Sequence, residues 1–128
     1  MVTPFRVLIV ENSRTTLAAM SKLLETEGFE VETARNGHDA IEVVQSHPID
    51  LVLMDLYMPM LNGYEAAQII RAMPGRIGQV PIIALTASTD SKDINVCKNA
   101  GMNEFFMKSM GEDELVQLLK KYEALAAS

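Results

Sequence analysis

Five short strand-like runs recur along the chain, four of them apolar at every position, with helix-patterned stretches between them. They are Val7-Leu8-Ile9-Val10, residues 31–34, Leu51-Val52-Leu53-Met54, Pro81-Ile82-Ile83-Ala84-Leu85 and Phe105-Phe106-Met107. A strand that is apolar throughout leaves no face for water, which points to a parallel sheet covered by helices on both sides. The intervening stretches have the matching period. Leu17, Met20 and Leu24 mark one face over residues 13–27, with Gly28 placed to stop the helix. Asn36-Gly37 turns the chain into a second helix along Ala40, Ile41 and Val44, closed before Pro48. Ala66, Ile69, Ile70 and Met73 stripe a third that ends at Pro74-Gly75, and Ile94, Cys97 and Ala100 a weaker fourth that stops at Gly101. Leu115, Leu118, Leu119, Tyr122 and Leu125 give the fifth the clearest spacing. Parallel neighbours need helical crossovers, so the chain reads as a doubly wound α/β sandwich.

At 128 residues and 48% hydrophobic, without repeats or a Pro/Gly-rich linker, residues 1–128 are read as one domain. A net charge of −6 with scattered Lys and Arg makes neither nucleic acid nor an anionic membrane an attractive partner. Residues 1–4 lack the apolar segment of a signal peptide and no run reaches membrane-spanning length, so a cytoplasmic location is expected. The one cysteine, Cys97, has no disulfide partner and reads as a small buried helix residue.

In a parallel sheet the carboxyl ends of the strands open on one edge, where ligands of such folds bind. The residues just past those ends are Glu11 and Asn12, Asp55, Thr86 and Lys108. Singly, each has an ordinary role: Asp caps a loop, Thr bonds local backbone, Lys is solvated, and Glu11-Asn12 is a helix entry. Together they form a chemistry. Oxygen ligands from Glu11, Asn12 and Asp55, with a backbone carbonyl and waters, suit Mg²⁺. A carboxylate there can act as nucleophile toward phosphorus and become an aspartyl phosphate. The phosphoryl group brings about −1.5 to −2 charges, which the cation, Lys108 and the Thr86 hydroxyl would hold. Such transfer asks mainly for positioning and charge stabilisation.

Other chemistries fit less well. Ser13, Thr15 and Thr16 occupy the place of a flavin phosphate cradle, but the loop has no glycine and Glu11 would repel the phosphate. A dehalogenase-type phosphatase wants a second Asp where Tyr57 stands, and no Gly-rich lysine loop is present for a nucleotide. His38 and His47 are isolated and read as surface residues. Met58, Met60 and Leu61 are either a partner patch or the cover of a loop.

The residues resemble the receiver domain of two-component response regulators from Val7 to Leu119. The motifs that carry the resemblance are Val7-Leu8-Ile9-Val10-Glu11-Asn12, Leu53-Met54-Asp55 with Met58-Pro59 and Gly63, Pro81 to Ala87, Ala100-Gly101-Met102, and Lys108. The style of residues 81–87 and 97–102 is most similar to receivers attached to hybrid histidine kinases. The resemblance implies a flavodoxin-like five-stranded sheet of order 2-1-3-4-5. It implies that Asp55 accepts phosphate from a phosphohistidine on a histidine kinase or phosphotransfer protein, with kinase or effector domains possible on the same chain. Thr86 would then swing toward the phosphoryl group and Lys108 pair with it. Mg²⁺ would be held by Glu11, Asn12, Asp55 and the Tyr57 backbone carbonyl. Phe105 falls at the family's switch aromatic, and the responding face would run from about Asp90 to Leu125.

Three positions depart from the family pattern. Asn12 replaces a second acid, so weaker Mg²⁺ binding is expected. Ser109 replaces a proline that follows a cis bond; cis before a non-proline costs about 2.5–4 kcal/mol, so Lys108–Ser109 is expected to be trans. Tyr57 is bulky enough to crowd an attacking water, so slow autodephosphorylation is expected. The alternative is a degenerate receiver, a phosphorylation-independent interaction module whose site Asn12 and Ser109 have weakened.

Overall fold

The computed structural model describes residues 4–87 and 91–127. Its strands are β1 (Arg6–Val10), β2 (Glu30–Ala34), β3 (Leu51–Asp55), β4 (Ile82–Thr86) and β5 (Glu104–Met107). Its helices are α1 (Arg14–Thr26), α2 (Gly37–Ser46), α3 (Gly63–Arg71), α4 (Ser91–Asn99) and α5 (Glu112–Ala126), with a 3-10 turn at Ile77–Gln79. All pairings are parallel and the sheet order is β2-β1-β3-β4-β5. The expected doubly wound, flavodoxin-like arrangement is present.

Local chemistry sets the helix entries. Ser13 Oγ accepts from Thr16 N at 3.3 Å and Asn36 Oδ1 from Asp39 N at 2.8 Å, each meeting a backbone donor that an α-helix leaves unpaired. Asn62 and Glu65 form a reciprocal capping box on α3. Gly28, at φ +93°, supplies the left-handed residue after α1.

Alternation along the strands divides the core in two. Val7, Ile9, Leu51, Leu53, Ile83, Leu85 and Phe106 pack with Leu17 and Leu24 of α1 and Leu115 and Leu119 of α5. Leu8, Val10, Val52, Met54, Ile82 and Ala84 pack with α2, α3 and α4 through residues such as Ala40, Val44, Ala67, Ile70 and Cys97. Successive side chains of a strand point to opposite faces, so each apolar run feeds both layers. Cys97 is buried as expected, and His38 and His47 are exposed.

Two details differ from the sequence expectation. Asp55 and Thr86 are the last residues of β3 and β4 rather than the first beyond them, because Asp55 is still in register with Leu85 and Thr86 with Met107. The 3-10 turn was not expected; it occupies three residues, too few for a hydrophobic period to register. Among the described residues no helix is long and apolar enough to cross a membrane. Residues 1–3 of the N-terminal reading, and Asp90 at the start of the expected responding face, lie outside the described residues.

Candidate functional site

Among the described residues, the buried polar or charged side chains are Glu11, Asp55 and Thr86, at 3%, 7% and 3% exposed. All three lie on the carboxyl edge of the sheet. Burying a charge costs free energy unless something pairs with it, so a buried pair of acids needs a cause.

Register and alternation decide which side chains meet. Glu11 continues the face of Val7 and Ile9, Asp55 that of Leu51 and Leu53, and Lys108 that of Phe106. These three converge on the α1/α5 side. Lys108 Nζ stands 3.1 Å from Glu11 Oε2 and 3.2 Å from Asp55 Oδ2. Two carboxylates therefore share one ammonium. Thr86 follows Leu85, the register partner of Asp55, and alternation turns it to the α4 side, the side that Phe105 also takes. The Phe105 ring is partly exposed there while its neighbour Phe106 is buried.

The electrostatics follow from that sharing. Burial, then repulsion from Glu11, pushes the Asp55 carboxyl above the usual range, and Lys108 only partly offsets this. For Lys108, burial acts downward, but the two carboxylates outweigh it and the net shift is upward. Asp55 Oδ1 accepts from Tyr57 N and Glu11 Oε1 from Ser13 N, both at 3.3 Å. Glu11 Oε2 is buried, and the Lys108 ammonium at 3.1 Å is the donor that faces it among the described residues. A buried carboxylate oxygen short of donors, beside a second acid that one ammonium cannot fully neutralise, fits a hard divalent cation. Among the described residues no group of three His, Cys, Asp or Glu side chains is placed to hold a metal ion. Asn12 is exposed, and its carbonyl accepts from Arg35 Nη2 at 3.4 Å.

The loop after β3 is shaped around the acid. A Cβ on Gly63 would stand 2.0 Å from the Asp55 carbonyl oxygen, and Gly63 N donates to Leu56 O at 2.9 Å. Here glycine is required for close approach, a reason the sequence motif alone did not disclose. Met58 is buried and Leu61 packs against the core, so of the three residues weighed as a patch only Met60 stands out, at φ +68°. Tyr57 is exposed and donates its phenol proton to Asp93 of α4. The described residues contain no cis peptide bond, Lys108–Ser109 included, and Lys108 is held by both acids.

One group escaped the sequence reading. Arg71, at the end of α3, donates through Nε to Gly101 O at 2.7 Å, through Nη1 to Gly78 O at 3.2 Å and Val80 O at 2.7 Å, and through Nη2 to Asn103 Oδ1 at 2.8 Å. It lies toward the opposite edge of the sheet and is structural.

The family model for the response regulator receiver domain matches residues 7–120. Hybrid signal transduction histidine kinase B of Dictyostelium discoideum is 35% identical over 128 residues, covering 91% of this chain; the chain spans 6% of that protein. The receiver domain of sensor histidine kinase PA1611 from Pseudomonas aeruginosa, solved with magnesium coordinated in its active-site cleft, is similar with a TM-score of 0.86 and 32% identity. That match covers 94% of this chain and 98% of the other. The receiver domain of Saccharomyces cerevisiae Ssk1, solved with the histidine phosphotransfer protein Ypd1, reaches a TM-score of 0.91 at 27% identity, covering 100% and 94%. With its strand order, its edge of buried acids and a family match along most of its length, the chain belongs to the response regulator receiver domain family of two-component signalling.

Proposed function

We propose that residues 1–128 form a cytoplasmic phosphoacceptor domain of a two-component phosphorelay, taking a phosphoryl group from a phosphohistidine onto Asp55. The observation that carries this reading is that, among the described residues, buried polar side chains are confined to Glu11, Asp55 and Thr86 on one sheet edge, with Lys108 bridging the two acids. A fold gains no stability from placing two acids there, whereas a phosphoryl acceptor needs both.

A carboxylate oxygen of Asp55 attacks phosphorus in line; the P–O bond forms as the P–N bond to the donor histidine breaks, and the electron pair returns to the imidazole nitrogen. Lys108, already held at 3.2 Å from Asp55, stays as a fixed positive charge beside the incoming oxygens. Glu11, Asp55, the Tyr57 carbonyl and Asn12 would hold Mg²⁺, which supplies charge neutralisation when bound. Thr86, at the end of the neighbouring strand, then turns its hydroxyl to the new phosphoryl oxygens and frees space on the α4 side that Phe105 can enter. Such a switch is a population shift driven by contacts made only with the phosphoryl group.

The donor is a histidine kinase or phosphotransfer protein, and the Ssk1–Ypd1 complex of a similar receiver supports that class. An apolar groove of about 140 Å³ between α1 and the start of α5, lined by Ala19, Met20 and Leu23 and reaching Lys108, offers a donor helix a seat beside the acceptor. Because the chain spans only 6% of the Dictyostelium hybrid kinase, a flanking kinase or effector domain in the parent protein is part of the proposal.

Mass spectrometry after treatment with acetyl phosphate and Mg²⁺ tests the reading. One added phosphoryl group, absent from Asp55→Asn, is expected. No addition to the wild type would overturn it in favour of a phosphorylation-independent interaction module.

A further inference from the structure

One side chain joins the acceptor loop to the first turn of α4. Tyr57 donates its phenol proton to Asp93 Oδ1, 36 residues further along, while its backbone N–H donates to Asp55 Oδ1 at 3.3 Å. Its ring also packs edge-on against Tyr64, with centroids 6.4 Å apart and planes at 76°. Backbone, phenol and ring face are thus each held by a different partner. The ring thus spans from the loop that leaves β3 to the first turn of α4, the helix that follows the neighbouring strand β4. Tyr57 is nonetheless 55% exposed, and an exposed side chain without its tie changes rotamer on the picosecond-to-nanosecond scale.

We propose that Asp93 is a positioning residue for the aspartyl phosphate: by holding the Tyr57 phenol it keeps the ring across the approach to Asp55 and so lengthens the phosphoryl lifetime. The inference rests on the phosphoacceptor reading. In the step it controls, a water oxygen bonds to phosphorus as the P–O bond to Asp55 breaks. The electron pair returns to the carboxylate, and the water's proton leaves with inorganic phosphate. That water must come in line, opposite the departing carboxylate oxygen, and a ring fixed at the mouth narrows the approach. The tie has two ends. A partner that draws α4 away would release the ring and shorten the lifetime, and by reciprocity a held ring favours the α4 position seen here.

The test follows loss of the phosphoryl mass after acetyl phosphate is removed. Tyr57→Phe and Asp93→Ala should each shorten the lifetime about three- to tenfold, the scale of one ordinary solvent-exposed hydrogen bond. The double variant should be no faster than the faster single one, and Asp93→Asn, which keeps a carbonyl acceptor, should restore most of the lifetime. Amide hydrogen exchange in the first turn of α4 reads the tie without phosphorylation and should quicken in Tyr57→Phe. Unchanged lifetimes, effects that multiply in the double variant, or unaltered exchange would overturn the inference. A wild type that accepts no phosphoryl group, with exchange still quickened, would overturn the phosphoacceptor reading and leave the tie standing.

Discussion

The molecule handles charge in two opposite ways at the two edges of its sheet. At one edge the Arg71 guanidinium spends its donors on Gly101 O, Gly78 O, Val80 O and Asn103 Oδ1, and Asn103 Oδ1 also accepts from Ile82 N at 2.8 Å. At the other, Glu11 and Asp55 compete for one lysine, and buried Glu11 Oε2 faces only that shared ammonium among the described residues. The first arrangement is complete and holds the end of α3, the 3-10 turn and the α4–β5 loop together. The second is short of positive charge. Buried polar groups left short are costly, and where one persists it marks a place for something that arrives from outside.

The contrast can be broken most forcefully at Arg71. Arg71→Ala should cost about 2–4 kcal/mol of stability in urea unfolding, because it removes charge-assisted bonds and strands buried carbonyls. Arg71→Lys should recover less than half, since an ammonium cannot reach the same fork of acceptors. A loss near zero would show that the cluster is not the anchor described. Gly63→Ala probes the other edge: its methyl meets the Asp55 carbonyl oxygen, so about 1–3 kcal/mol should be lost and phosphorylation slowed together. Stability lost with phosphorylation intact would separate the two and weaken the contrast.

Asn12→Asp sharpens the charge deficit directly. Adding a carboxylate at the metal edge should tighten Mg²⁺ by about tenfold in calorimetric titration, equivalent to about 1.4 kcal/mol. Equal affinity would mean that Asn12 takes no part in the site. The smallest effect has the opposite sign. Asp55 binds its proton more tightly folded than unfolded, so the folded state loses stability as pH rises from the ordinary carboxylate range through the raised folded value. Asp55→Asn should therefore stabilise the protein by about 0.5–1 kcal/mol at neutral pH. The gain should vanish at pH values below the ordinary range, where Asp55 is protonated in both states. Thermal unfolding across pH checks it, and a loss at neutral pH would show that the Lys108 pair outweighs the repulsion.

The strands and their ends were legible because the chemistry is local. Leu51 to Met54 has no polar position, so it declares burial on both faces, and the acid that follows declares an edge. The strand-end rule picked Glu11, Asp55, Thr86 and Lys108 without coordinates. It could not tell that Thr86 faces the side opposite Asp55, because that depends on where β4 stops, and Thr86 is still paired with Met107. Pro81 was read into β4, but it has no N–H for the ladder and contributes only its carbonyl, to Val52 N at 2.9 Å. The Arg71 cluster left no sequence signal. Its partners lie between 7 and 32 residues away and are mostly backbone carbonyls, which every residue has.

The alternation of β3 and β4 has an evolutionary consequence. Asp55 turns to the α1/α5 layer, whereas Thr86 and Phe105 turn to the α4 layer, so the sheet stands between the two like a wall with an opening along its upper edge. Under the proposed chemistry, the α1 part of the donor's surface and the α4 part of the listener's surface are built from different layers, with α5 shared by both. Substitutions that retune one need not disturb the other. A lineage could change its source of phosphate while keeping its audience, or the reverse, without rebuilding the acceptor.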